Sequence, residues 1–169
     1  FFPNAENAML LNLYCEALNE QFHAMMSAAA GANLSLSFGS SKEMIFLNIS
    51  GFSDKSPVFL KESLHQLKTL KPVTAAQFNR YKKSIEQGLQ NNLISLAARR
   101  AQELLNTTVY PDQPLTEKKL EALHSVTQEQ FALFMTNLFD EAYVEAFFSG
   151  NLTRRDAERY WKDVRSLLC

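Results

Sequence analysis

The chain has 169 residues, 46% apolar and 21% charged, with a net charge of -1. That length suits one domain with a real core. The near-neutral charge gives no basis for a nucleic-acid or acidic-membrane partner. No apolar run reaches the roughly 20 residues of a spanning helix, so a soluble protein is expected; the sequence does not choose between cytoplasm and periplasm. There are 13 Phe against one Trp; Phe has no polar tip to satisfy, so most of these belong to a core.

Asn4 fits an N-cap, with Glu6 favoured in the first turn by the helix dipole. The first helix runs to about Ala30. Leu11, Cys15, Leu18, Phe22, Met25 and Ala29 recur at three- and four-residue steps and share one face. Leu10, Leu13, Ala17 and Ala24 widen that face, so the helix is expected to be covered on more than one side. Gly31 takes the place a C-terminal glycine prefers.

A hairpin follows over Gly31 to Phe52, and the rest of the chain is laid out around it. Leu34, Leu36 and Phe38 alternate with Asn33, Ser35 and Ser37, the period of a half-buried strand. The polar run Gly39-Ser40-Ser41-Lys42-Glu43 reads as the turn, its glycine free to take a left-handed backbone. Met44 to Ile49 is the second strand. Ile45, Leu47 and Ile49 fall on one face, Met44 and Phe46 on the other. Two readings follow: a central strand covered on both faces, or a face with Met44 and Phe46 held open for a peptide or a partner.

Asp54 or Ser56 caps the next helix, with Pro57 in its first turn and Leu60, Leu64 and Leu67 as its stripe. Lys71-Pro72 stops it. Thr74 and Gln77 form a capping box. A long helical pattern then runs through Phe78, Tyr81, Ile85, Leu89, Leu93, Leu96 and Leu104 to about Asn106. Gly88 and Asn91-Asn92 are poor helix formers within it, which predicts one bent helix or two. Thr107 to Pro114 is a loop. Thr116 caps a short helix through Leu120 and Leu123. Thr127 and Gln130 open another, carrying Phe131, Phe134, Met135 and Leu138. Tyr143 to Phe148 reads as a third strand closed by Ser149-Gly150-Asn151. Thr153 caps a last helix through Ala157, Tyr160, Val164 and Leu167. The order αββααααβα predicts an α+β fold with helices on one side of a mainly antiparallel sheet.

Catalytic constellations are absent from this sequence. Zinc hydrolysis asks for H-E-x-x-H or H-x-x-E-H, and His23, His65 and His124 stand singly. There is no G-x-S-x-G, and Cys15 lies in an apolar stripe that raises a thiol pKa. Gly31, Gly39 and Gly51 build no phosphate loop. Cys15 and Cys169 have no metal spacing; a bridge between them stays open. The pairs Lys82-Lys83, Arg99-Arg100 and Arg154-Arg155 read as solvated faces. Four N-x-[ST] triplets, at Asn33, Asn48, Asn106 and Asn151, read as chance composition.

Three passages together resemble the insulinase/pitrilysin (M16) family of zinc metallopeptidases. The first is LYCEALNEQFHAMMSAAAGANLSLSFGSSKEMIFLNISGFSDKSPVFLKESLHQL, similar to the third of four repeats in large members. The second is VTAAQFNRYKKSIEQGLQN, similar to the family's long helix. The third is VEAFFSGNLTRRDAERYWKDV, similar to a strand running into G-N-[LIM]-T and a closing helix. The resemblance implies a ferredoxin-like α+β repeat, with residues 1–169 as one domain cut from a larger clamshell peptidase. The family's zinc and its H-x-x-E-H belong to the first repeat. No such motif stands here, so no catalytic residue and no metal ligand is carried over, and zinc is expected in the parent protein only. The implied role is to wall the chamber, pack on neighbouring repeats and help hold peptide substrates, with Met44 and Phe46 as a possible substrate or partner face. A free-standing binding module or partner subunit is the alternative. An independent enzyme is disfavoured, since no acid-base pair or nucleophile is visible.

Overall fold

The computed structural model describes residues 4–41, 44–52, 54–94, 96–110, 113–140 and 143–168. The elements are α1 (Ala5–Gly31), β1 (Leu34–Ser41), β2 (Met44–Gly51), α2 (Ser56–Lys68), α3 (Ala75–Leu93), α4 (Ala97–Val109), α5 (Thr116–Ser125), α6 (Gln128–Asn137) and α7 (Arg154–Leu168). Among the described residues the fold is mostly helical with one small two-stranded sheet, β1 beside β2. No helix among the described residues is long and apolar enough to cross a membrane.

Local sequence chemistry accounts for most helix starts. The Asn7 amide donates to Asn4 Oδ1 at 2.6 Å and opens α1. Thr74 and Gln77 cap α3 reciprocally. Thr127 and Gln130 do the same for α6, at 2.8 and 3.2 Å. At α7 the reciprocal partner of Thr153 is Asp156, whose amide donates to Thr153 Oγ1 and whose carboxylate accepts from the Thr153 amide and hydroxyl. Each such cap satisfies donors that the first helical turn leaves over.

Two compact units emerge. One gathers the chain up to Ala17, Phe38–Phe46 and Pro72–Met135. In it, Met9, Leu13, Tyr14 and Ala17 of α1 are buried, as are Phe78 and Tyr81 of α3, Leu123 of α5, Val126, and Phe131 and Phe134 of α6. The Phe78 and Phe131 rings lie 5.8 Å apart, and Tyr14 meets Phe134 edge-on at 6.3 Å. Burial pushes the Tyr14 phenol far above its usual range, so it stays protonated. The other unit holds Leu18–Ser37, Leu47–Lys71 and the chain from Thr136. It buries Leu18, Phe22, Leu34, Leu36, Leu64, Leu67, Tyr160 and Val164, and α2 packs on α7. Here Gln21 clamps the chain after α2: its amide donates to Lys71 O at 2.9 Å and accepts from Lys71 N at 2.8 Å.

Several expectations need correction. Gly31 is the last helical residue, but the left-handed backbone falls two residues later, on Asn33 (φ 55°). Ala24 is exposed. The cap position of α2 is held by Lys55, with no side-chain cap, and Ser56 Oγ donates instead to Phe52 O at 2.8 Å. The long helical pattern resolves into two helices, and the break falls after Asn91-Asn92, between Leu93 and Ala97, rather than at Gly88. Thr116 is the first residue of α5 and not its cap.

The sheet differs from the expected one in two ways. Residues 143–149 form no strand. A strand needs a ladder partner, and among the described residues none lies alongside. Phe148 instead packs on Tyr160 of α7 at 5.8 Å, while Phe147 stands 90% exposed. And β2 is not a central strand among the described residues, because its strand neighbour is β1 alone and none of its residues is buried.

Candidate functional site

The hairpin offers the face singled out from the sequence. Along β1, Leu34 and Leu36 are buried while Ser35 and Ser37 are exposed. Along β2, Ile45, Leu47 and Ile49 are half-buried while Met44, Phe46, Asn48 and Ser50 are exposed. This is the period-2 alternation of a pleated strand. Met44 is 62% exposed and Phe46 51%. Gly39 is not in the turn, since β1 continues to Ser41. The remaining predicted turn residues, Lys42 and Glu43, lie outside the described residues. Gly39 instead lies under the Phe46 ring: a Cβ there would come within 2.3 Å of Phe46 Cζ. The glycine is therefore needed for close approach and not for a left-handed turn. The aromatic covers the bare backbone that a side chain would otherwise cover.

Such a surface carries no reactive group. It presents two apolar side chains, Met44 and Phe46, to solvent. Cys15, the thiol nearest in sequence, is buried and free, and burial raises its pKa despite a hydrogen bond with Ser40 and aided by Glu16. Ser40 Oγ itself donates to Asn12 Oδ1 at 2.6 Å. The pairing of Cys15 with Cys169 involves a residue outside the described set.

The histidines do not converge. His23, His65 and His124 are all exposed, and among the described residues no three His, Cys, Asp or Glu side chains could hold a metal ion. His124 Nε2 meets Glu86 Oε1 at 2.9 Å, linking α5 to α3.

Of the basic pairs expected on solvated faces, Lys83, Arg99, Arg154 and Arg155 are exposed, while Lys82 and Arg100 join helices. Lys82 Nζ donates to His124 O at 3.0 Å and to Val126 O at 2.9 Å, so a lysine of α3 caps the carboxyl end of α5. That end of a helix attracts cations. Partial burial lowers the Lys82 pKa, against the pull of Glu86. Glu103 of α4 caps the other end: its Oε1 accepts from the Thr116 amide at 2.7 Å and hydroxyl at 2.5 Å. Arg100 bridges Glu103 and Glu117. The sequence contains the residues of this network, but the contacts that join one helix to another span 13 or more residues and give no local signal.

Burial opposes ionisation of Glu103, and Thr116 together with Arg100 outweighs it, so the carboxyl sits below its ordinary value. A depressed folded value contributes stability that is complete above the unfolded value of about 4.3 and is lost as pH falls through the folded value. Glu103→Gln is thus expected to cost about 1 kcal/mol at neutral pH. Its urea midpoint should also fall less steeply than that of the parent chain as pH drops below about 4.3. Parallel curves would show that Glu103 is not ionised against Thr116.

These features define a mostly helical fold with a small sheet, an exposed apolar pair on β2 and, among the described residues, no group of side chains that could hold a metal ion. Residues 2–122 match the family described as the middle or third domain of peptidase M16. The chain belongs to that family. It is 24% identical over 162 residues to the A-factor-processing enzyme of Saccharomyces cerevisiae, which covers 96% of this chain and 16% of the relative. It is 25% identical over 145 residues to the insulin-degrading enzyme of Homo sapiens, covering 86% and 14%. A nardilysin-like protein of Arabidopsis thaliana is 24% identical over 159 residues, covering 92% and 15%. The chain thus spans between 14% and 16% of the length of these relatives.

Proposed function

We propose that this chain is a non-catalytic repeat of an insulinase-like zinc endopeptidase. It walls a peptide-sized chamber, packs against neighbouring repeats and helps hold peptides that a zinc site in another repeat cleaves. Residues 1–169 then form one ferredoxin-like α+β domain, completed within the parent protein. The observation that carries this reading is the match of residues 2–122 to the middle or third domain of the family. Sequence agrees with it: the 169 residues contain no H-x-x-E-H, the motif that would supply zinc ligands and a general base. Zinc belongs to the parent.

Met44 and Phe46 are the contact residues in this reading. Their exposure on β2 leaves them available to an extended peptide, whose side chains would alternate along the strand. Replacing both, as Met44→Ser/Phe46→Ser, tests this in the full-length parent. KM for a peptide substrate is expected to rise several-fold with kcat little changed, the pattern of lost binding that is uniform between ground and transition states. Urea unfolding should show a loss of about 1 kcal/mol or less, chiefly the Phe46 ring over Gly39. Unchanged KM would remove the face from substrate binding. A loss above about 3 kcal/mol would place the two side chains in a core.

A further inference from the structure

α4 is amphipathic with its faces reversed. None of its residues is buried. The residues that meet the rest of its unit are polar: Arg100 reaches Glu117, and Glu103 reaches Thr116. At 100° per residue, Ala97, Ala101, Leu104, Leu105 and Thr108 share a stripe about 100° wide on a different side. That stripe is exposed; Leu104 and Leu105 are 51% and 56% accessible. An isolated exposed leucine needs no explanation, but a whole helical stripe does.

The reversal has a physical reason on one side only. The amino end of α5 needs an acceptor, and Glu103 supplies it, which turns the polar face of α4 inward. The outward stripe has no such reason within the unit. It contains no charged residue, since Arg99, Arg100 and Glu103 all fall off it. Depletion of charge is the mark of the centre of a protein interface, especially a permanent one. Peptide substrates of varied charge would not select for it.

We infer that the α4 stripe is an interface with another domain of the same polypeptide, one that presents an apolar surface of its own. This rests on the reading of the chain as one repeat of a longer protein. It is supported by relatives of which the chain covers only 14% to 16% and by the description of the matched domain as middle or third. Such a domain has others on both sides. The inference adds which surface of this one is covered.

Thiol modification tests it in the native polypeptide at its natural length. Leu105→Cys is introduced and its reaction with a maleimide is followed by mass on the α4 peptide. Ala101→Cys serves as a second variant that perturbs folding less. The expected result is modification at least about tenfold slower in the native protein than in the same protein in denaturant, which corresponds to about 1.4 kcal/mol of protection, and independent of protein concentration. Rates within about twofold of the denatured protein would overturn the inference. Protection that disappears on dilution would also overturn it, because a second copy would then be the cover. A long, chelator-sensitive peptidase with an unprotected α4 thiol would reject this interface while leaving the proposed function standing. A native polypeptide no longer than this chain would reject the proposed function itself.

Discussion

Phe131→Ala is expected to lower the unfolding free energy by about 3–5 kcal/mol. Phe131 is 1% exposed, and its ring lies against Phe78 from α3. Alanine removes the whole ring and leaves a cavity whose walls come from separate helices. A cavity closes poorly when its walls are held by other contacts. Total stabilities lie near 5–15 kcal/mol, so this variant gives up a large share. The control sits on the same helix: Leu133 is 62% exposed, and Leu133→Ala is expected to stay within about 0.5 kcal/mol. Urea midpoints of the two variants separate the faces of α6. A loss below about 1 kcal/mol at Phe131 would mean that α3 and α6 do not meet there.

Phe22→Ala is expected to cost a similar amount, about 3–5 kcal/mol. Phe22 is fully buried in the second unit. The neighbouring His23 and Ala24 are exposed, so position 22 is the inward point of this turn of α1. Thermal unfolding gives the comparison. Phe22→Ala should lower the midpoint by several degrees, and His23→Ala should barely move it. An equal shift for both would mean that α1 is rotated from the orientation described.

Both residues were legible in the sequence because helical periodicity places them. Leu11, Cys15, Leu18, Phe22, Met25 and Ala29 repeat at three- and four-residue steps, and all are buried except Met25, which is half-buried. The capping boxes at Thr74 and Thr127 were legible for the same reason: the partners lie three residues apart and the chemistry is local. Long-range polar pairing was not. Glu103 takes over the cap that Thr116 would have made, across 13 residues. Lys82, half of a basic pair in the sequence, caps α5 from 42 residues away.

The strands show the other limit. Alternation found β1, where Leu34 and Leu36 are buried. It also suggested a strand at Tyr143–Phe148, but strand character depends on a partner that the sequence of the segment does not contain. Here α7 supplies a ring contact instead of a ladder. Gly39 fits a turn by sequence because glycine often forms one. Its cause lies in a partner on the facing strand, the Phe46 ring. The Met44 and Phe46 face itself was visible as an apolar pair out of phase with Ile45 and Leu47; only the three-dimensional packing distinguishes an open face from a covered one.

We propose that this chain works as one repeat of a larger zinc peptidase. The size of the endogenous polypeptide, read with an antibody against this chain, tests it most directly. A band several times larger than 19.2 kDa, in a fraction whose peptidase activity a chelator abolishes, is the predicted result. A band at the size of this chain would contradict it and make the protein a free-standing binding module.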